Sequence, residues 1–211
     1  MGLRERKKLR TRRAIASAAL RLFDERGFEE TTISDIAAAA DVSPRTFFSY
    51  FPSKDDVVFA EMDERLADIR ARLTERPSGE TPLATFRRVA DALVEAISTE
   101  DGEYGAIQVA LLRKRPSLQA QALKRLADAE EGFVQVLREL APELDEVTAV
   151  TVMGVAFGGL RAAIMYCRTQ RYDAEQTREA TERALVIVEQ VLASVPAITS
   201  PPATGDDAPA K

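Results

Sequence analysis

Histidine is absent from this 211-residue chain, and cysteine occurs once, at Cys167. Without an imidazole the chain lacks the commonest general base and the commonest metal ligand, which excludes histidine-dependent enzymes. A single thiol excludes an internal disulfide and any multi-cysteine zinc site, and it fits a reducing compartment. No glycine-rich phosphate loop or metal-ligand cluster is present, so no enzyme, cofactor or metal is expected. No unbroken apolar run approaches the roughly 20 residues that span a bilayer, and no apolar segment follows the charged N-terminus. The expectation is a cytoplasmic protein with no membrane partner. Hairpin turns of the Asn-Gly kind are missing too, and β-branched clusters such as "VTAVTV" lie inside stretches of helical period, so no strand is expected.

What is present is helix, charge polarity and one unusual aromatic segment. The apolar content of 45% is enough for a hydrophobic core. The formal charge of -5 hides an asymmetry: residues 1–54 hold eleven basic against seven acidic side chains, and the other 157 hold 18 against 27. Seven basic side chains fall in the first 13 residues, against Glu5. A basic end on an acidic body suits either an anionic partner contacted locally or a solvated tag.

Period and caps divide the chain into about nine helices. Ile15, Ala18, Ala19, Leu22 and Phe23 form one apolar stripe on a first helix over about 6–26, ended by Gly27. Thr32 with Asp35 makes a capping box for a short second helix that stops near Asp41. Ser43 and Pro44 supply an N-cap and a first-turn proline for a third, which ends before Pro52. Ser53 with Asp56 caps a long fourth helix to about 75, and the polar break "ERPSGET" marks the domain boundary. Further helices are expected at about 82–99, 103–115, 117–140, 144–170 and 174–193, with a disordered tail over 196–211. In domain terms this reads as 1–54, a connecting helix over 55–75, a second domain over 82–195, and the tail.

The stretch "DVSPRTFFSYFPSK" then acquires a meaning. Two short helices joined near Asp41, Val42 and Ser43 and packed on a longer one make a helix-turn-helix, whose second helix offers its N-terminal residues to the major groove. Phe47 and Phe51, four apart, are expected to anchor it. Its exposed edge carries Ser43, Pro44, Arg45, Thr46, Ser49 and Tyr50, while Lys54 at the start of the next helix is placed to hold a phosphate.

"TTISDIAAAADVSPRTFFSYFPSKDDV", led in by "LFDERGFEETT", resembles the helix-turn-helix signature of the TetR (tetracycline-repressor-like) transcriptional regulators over about residues 10–60. The resemblance implies an all-α homodimer with an N-terminal three-helix DNA-binding domain and a C-terminal helical domain for ligand and dimerisation. Its last two long helices would form a four-helix interface. Position by position, it gives Thr32 and Lys54 phosphate contacts, and Arg45 and Thr46 base reading. Arg10, Arg12 and Arg13 stand where other members carry DNA-contacting arms. Two positions depart from the family pattern: Phe48 replaces a tyrosine, and so either reads a thymine methyl or packs, and Tyr50 replaces a histidine.

Downstream, the apolar stripes are mostly core. For the effector cavity that the resemblance implies, the candidates are Phe86, Leu93, Tyr104, Gln108, Leu111, Phe133, Phe157, Arg161 and Tyr166, with Arg161 equally suited to a surface or interface ion pair. Cys167 reads as a buried small hydrophobe or a redox sensor. Gly154, Gly158 and Ala162, with Leu185, Val188 and Leu192 of the last helix, are the candidate dimer interface, although a contact within the chain explains the glycines equally well. The expected function is a regulator, a repressor released from a palindromic double-stranded DNA operator by an apolar or amphipathic small molecule. A constitutive architectural DNA binder, or an activator, is the alternative.

Overall fold

The computed structural model describes the backbone of residues 2–99 and 102–200 and the side chains of 2–97 and 105–200. Among them every regular element is a helix: α1 (Leu3–Arg26), α2 (Ile33–Ala39), α3 (Pro44–Tyr50), α4 (Lys54–Val58), α5 (Ala60–Thr74), α6 (Pro82–Thr99), α7 (Gly102–Lys114), α8 (Pro116–Leu140), α9 (Glu146–Gln170), α10 (Ala174–Leu192) and α11 (Pro196–Thr199). They form two compact units, Met1–Leu66 with Asp101–Arg125, and Ala67–Glu100 with Leu126–Lys211. The chain therefore passes between units three times, within α5, after residue 100 and within α8, rather than once through a connecting helix.

In the first unit the α1 stripe is buried at Ile15, Ala18, Ala19, Leu22 and Phe23. Gly27 ends α1 at φ +90, a conformation that side chains with a Cβ rarely adopt, and its N–H donates to Phe23 O at 3.0 Å. The capping box forms as the spacing predicts, with Asp35 N donating to Thr32 Oγ1 (3.1 Å) and Thr32 N to Asp35 Oδ2 (2.9 Å). The Thr32 hydroxyl bond holds the Asp35 carboxyl below its ordinary range. The turn after α2 is a Schellman motif: Val42 N donates to Ala37 O (2.9 Å) and Asp41 N to Ala38 O (3.2 Å), with Asp41 left-handed at φ 53. Aspartate tolerates that conformation better than most residues, so no glycine marks the turn.

Two expectations change in this unit. The long fourth helix is interrupted at Phe59, giving α4 and α5; Phe59 is fully buried, and the Gln108 side-chain amide donates to Val58 O at the break (2.6 Å). Tertiary demand on a buried ring, with a side chain to satisfy the carbonyl, replaces one turn of regular helix. Residues 101–125 also join this unit rather than the second domain, because Ile107, Leu111, Leu118 and Ala122 share one core with Ile15, Phe23, Ile36, Phe47 and Phe51.

In the second unit α10 packs on α9 and α6. The core includes Val134, Leu137, Ala149, Val152, Ala156, Val188 and Leu192, with Leu160 and Leu185 against Ala90. The interface residues expected on α10, Leu185, Val188 and Leu192, are thus inward and at most 4% exposed. The outward apolar residues of α10 are Val186, Ile187 and Val191. A helix apolar on both sides cannot be oriented by periodicity alone. The tail also starts in order: Pro196 opens the α11 turn and Ile198 is buried in the core, while 201–211 lie outside the described residues. Finally, α9 is long and apolar enough to cross a membrane by length and composition, where the sequence reading found no such run because Arg161 interrupts it.

The α9 glycines have separate roles. A Cβ on Gly159 would lie 2.6 Å from Val188 Cγ2, so close approach of α9 and α10 requires glycine there. At Gly158 nothing lies within 4 Å, and at Gly154 only the Glu130 carboxylate does, at 3.6 Å. Gly159→Ala should therefore destabilise the protein by about 1–3 kcal/mol in chemical denaturation, since stiff Val188 must move, and Val188→Ala should recover part of that loss. Gly158→Ala should leave the stability of the isolated chain unchanged or raise it by up to about 1 kcal/mol.

Candidate nucleic-acid interface

The site rests on α3, seven residues long. The Ser43 hydroxyl accepts from Thr46 N (3.0 Å), and Pro44 occupies the first turn. Phe47 and Phe51 are 0% and 1% exposed, and burying each contributes about 1.5–3 kcal/mol. Their rings are 5.8 Å apart, and the Arg12 guanidinium lies 4.5 Å from the Phe51 centroid. Around the helix, Phe48, Arg45 and Ser49 occupy one outward sector and are exposed, Phe48 at 55%. Pro44 and Ser43 are exposed as well, whereas Thr46 and Tyr50 are half-buried. Arg45 has no ion-pair partner among the described residues. Among the hydroxyls, Ser43 and Thr46 bond each other (2.8 Å) and Ser49 donates to Thr46 O (2.6 Å).

Several residues expected at the DNA are engaged inside the unit. Lys54 Nζ donates to Phe28 O (2.6 Å) and Thr31 O (3.0 Å) and lies 4.4 Å from the Phe28 centroid, so it clamps the loop between α1 and α2. Arg12 donates to Tyr50 O (3.4 Å) and faces Glu64 at 3.5 Å and Asp63 at 3.9 Å. Its side chain is 24% exposed, which suits a brace better than an arm. Arg13 pairs with Glu64 at 2.9 Å but stays largely exposed, and such a pair is worth at most about 1 kcal/mol and exchanges readily. Arg10 is exposed on α1, a continuous helix from Leu3 onward rather than a loose arm. Thr32 is exposed at the start of α2 but has its hydroxyl in the capping box.

Sequence reading missed the partners of this brace. Arg125 of α8 pairs with Asp56 of α4 (2.6 Å), faces Asp63 at 3.9 Å and lies 4.6 Å from the Phe59 centroid. Burial raises the Asp63 carboxyl above its ordinary range despite Arg125 and Arg12 beside it. Separations of 51 to 69 residues left no local spacing from which to find these contacts.

The effector candidates are divided between the units. Gln108 and Leu111 belong to the first, Gln108 at the α4–α5 break and Leu111 in the core and beside an open depression of about 430 Å³ that Phe28, Lys114 and Arg115 also border. Phe86, Leu93, Phe133 and Phe157 belong to the second, where Phe133 and Phe157 meet edge to face at 5.5 Å and Phe86 packs with Leu93 around Ala90. Arg161 is exposed, as is Tyr166, whose ring meets that of Tyr172 at 5.9 Å. The Tyr104 side chain lies outside the described residues. Cys167 is buried, and burial pushes its thiol up, which suits a small hydrophobe rather than a reactive thiolate.

This geometry is a helix-turn-helix on a helical scaffold, and comparison with known proteins shows what that segment resembles. Residues 15–60 match the model of the bacterial regulatory proteins, tetR family. The HTH-type transcriptional regulator TcmR of Streptomyces glaucescens is 35% identical over 144 residues, an alignment spanning 64% of this chain and 62% of TcmR. Two solved structures share the fold. A TetR-family transcriptional regulator from Mesorhizobium loti MAFF303099 has a TM-score of 0.58 at 18% identity, over 86% of this chain and 96% of that one. FadR from Bacillus subtilis, in complex with stearoyl-CoA, has 0.54 at 17%, over 83% and 96%. The family match thus covers the helix-turn-helix segment, and the chain spans just under two thirds of the length of the relative it matches.

The placements of Arg10 and Arg12 separate in salt titrations of duplex binding. Arg10→Ala should reduce the slope of log K against log salt concentration by about 0.9, the share of one phosphate contact. Arg12→Ala should leave that slope within about 0.3 of wild type and lower the melting temperature instead.

Proposed function

We propose that this protein is a transcriptional regulator that binds a palindromic operator as a homodimer, with α3 in the major groove, and that a small apolar or amphipathic molecule releases it. The observation that carries the reading is the division of labour on α3. Its large apolar anchors are fully buried, whereas Arg45, Phe48 and Ser49 face outward and are exposed. A short helix so presented has the shape and chemistry to enter a major groove, and Arg45 has the fork that reads guanine O6 and N7. Arg10, Arg13, Thr32, Ser43, Pro44, Thr46 and Tyr50 are the further residues assigned to DNA contact, and Arg12 and Lys54 brace the unit that carries α3.

Support for a dimer comes from uncovered apolar surface on α9 and α10. In α9 only 28% of the most apolar 18-residue window is buried within the chain. Val147 (74% exposed) and Val150 lie on its outward side with Gly154 and Gly158, where a partner backbone has room to approach. Ile187 (62%) and Val191, one turn apart, are likewise exposed on α10. Surface of this kind on two helices suits a self-complementary four-helix contact. Ala162, Tyr166 and Val186 flank it.

The effector reading draws on the half-buried apolar side chains of the second unit, Phe86, Leu93 and Phe157, and on the likeness of the fold to a regulator that holds stearoyl-CoA. A ligand that binds better to a conformation with misplaced recognition helices lowers the population that fits the operator. By linkage, operator must weaken that ligand by the same factor.

Two measurements test these parts separately. Arg45→Ala should remove about 1–3 kcal/mol of discrimination between a selected duplex and a random one; equal weakening of both would refute base reading by Arg45. Ile187→Glu should convert a sedimenting dimer to monomer at micromolar concentration with little change in the fold. A wild-type monomer under those conditions would refute the dimer.

A further inference from the structure

Phe48 is the outlier of the recognition helix. Phe47 and Phe51 already anchor it at 0% and 1% exposure, yet Phe48 leaves 55% of its surface uncovered on the same side as Arg45. Nor is the ring unsupported. It meets Phe47 edge to face, 5.6 Å between centroids at 88°, a favoured aromatic geometry that supports the ring from one side against a fully buried neighbour. An exposed aromatic ring supported in this way gives up little conformational entropy when something is pressed against it.

The chemistry of that something follows by elimination. A phenylalanine ring has no strong donor or acceptor, so it cannot hydrogen-bond a phosphate or a polar base edge. Its hydroxyl-bearing neighbours do not change this character, since Ser49 has its proton committed to Thr46 O and Ser43 and Thr46 bond each other. In the major groove the apolar feature that a natural base pair offers is the C5 methyl group of thymine. Arg45 stands three residues before Phe48, and residues so spaced on a helix have Cβ atoms about 5–6 Å apart. Successive base pairs rise about 3.4 Å, so two such side chains address bases one or two steps apart.

We propose that Phe48 is a specificity-determining residue that reads a thymine methyl group, next to a guanine read by Arg45, so that each half-site holds a G and a T no more than two base pairs apart. This inference rests on the DNA-binding reading above and adds a base identity to it.

The experiment uses the full chain. A duplex is selected from a random-sequence pool, and each thymine in it is replaced singly by deoxyuridine, which removes the methyl group and nothing else. Affinity is read by fluorescence anisotropy for wild type, Phe48→Ala and Phe48→Leu, with melting curves to show that the variants fold. At one thymine per half-site, deoxyuridine should weaken the wild type about fourfold, the worth of one buried methyl group. Phe48→Ala should bind the two duplexes equally, and Phe48→Leu should keep part of the ratio. The inference is overturned if no thymine shows the effect in wild type, or if the effect persists undiminished in Phe48→Ala. A protein that selects no duplex at all overturns the DNA-binding reading along with it, a result distinct from specific binding that ignores the methyl group.

Discussion

A seven-residue helix has no stability of its own in water, because the cost of nucleating the first turn exceeds what so few hydrogen bonds return. The burial of Phe47 and Phe51 is therefore the interaction on which the recognition surface depends. Everything adjacent serves the same end. The Ser43 cap and Pro44 start the helix, Arg12 covers the Phe51 ring and bonds the last carbonyl of α3, and the Schellman turn at Asp41 fixes the angle to α2. Lys54 secures the α1–α2 loop from the other side through two carbonyls. Cations whose positions suggest DNA contact thus shape the outward face of α3 from within. The anchors lie on one side of α3, so the outward residues Arg45, Phe48 and Ser49 are not part of the buried packing that holds the helix.

The second unit poses the opposite problem, an excess of apolar surface rather than a shortage of helix. Both α9 and α10 carry one apolar face for the core and a second that the chain leaves open. Gly159 resolves the inner contact, where Val188 allows no methyl group, while Gly154 and Gly158 keep the outer side flat. Homodimerisation would cover that side and set two α3 helices at a fixed spacing, which makes a palindromic operator the natural counterpart.

Much of the architecture was legible in the sequence because it is written in local signals. The capping box at Thr32 and Asp35, the Ser43-Pro44 start, Gly27 and the proline breaks placed most helix ends within a residue or two. What escaped was set by contacts distant in the chain. Nothing in "VVFAEM" announces a break at Phe59, which depends on a buried ring and the amide of Gln108. The same limit governs the site. Of the edge read from position, Pro44, Arg45 and Ser49 are exposed while Thr46 and Tyr50 are half-buried, and Phe48, whose role position left open, faces outward. The inward roles of Arg12 and Lys54 could not be read from position, because basic residues near a helix-turn-helix suit a phosphate and a carbonyl equally well. On α10 two apolar faces gave periodicity nothing to choose between, and Leu185, Val188 and Leu192 proved to be core.

The central claim is that the outward face of a phenylalanine-anchored α3 is the surface that meets duplex DNA. Hydrogen–deuterium exchange of the full chain, with and without a selected duplex, measures this most directly. The account predicts new protection concentrated in residues 32–50 and the N-terminal turns of α1. Protection confined to the second unit, or none under conditions where the duplex is bound, would contradict it.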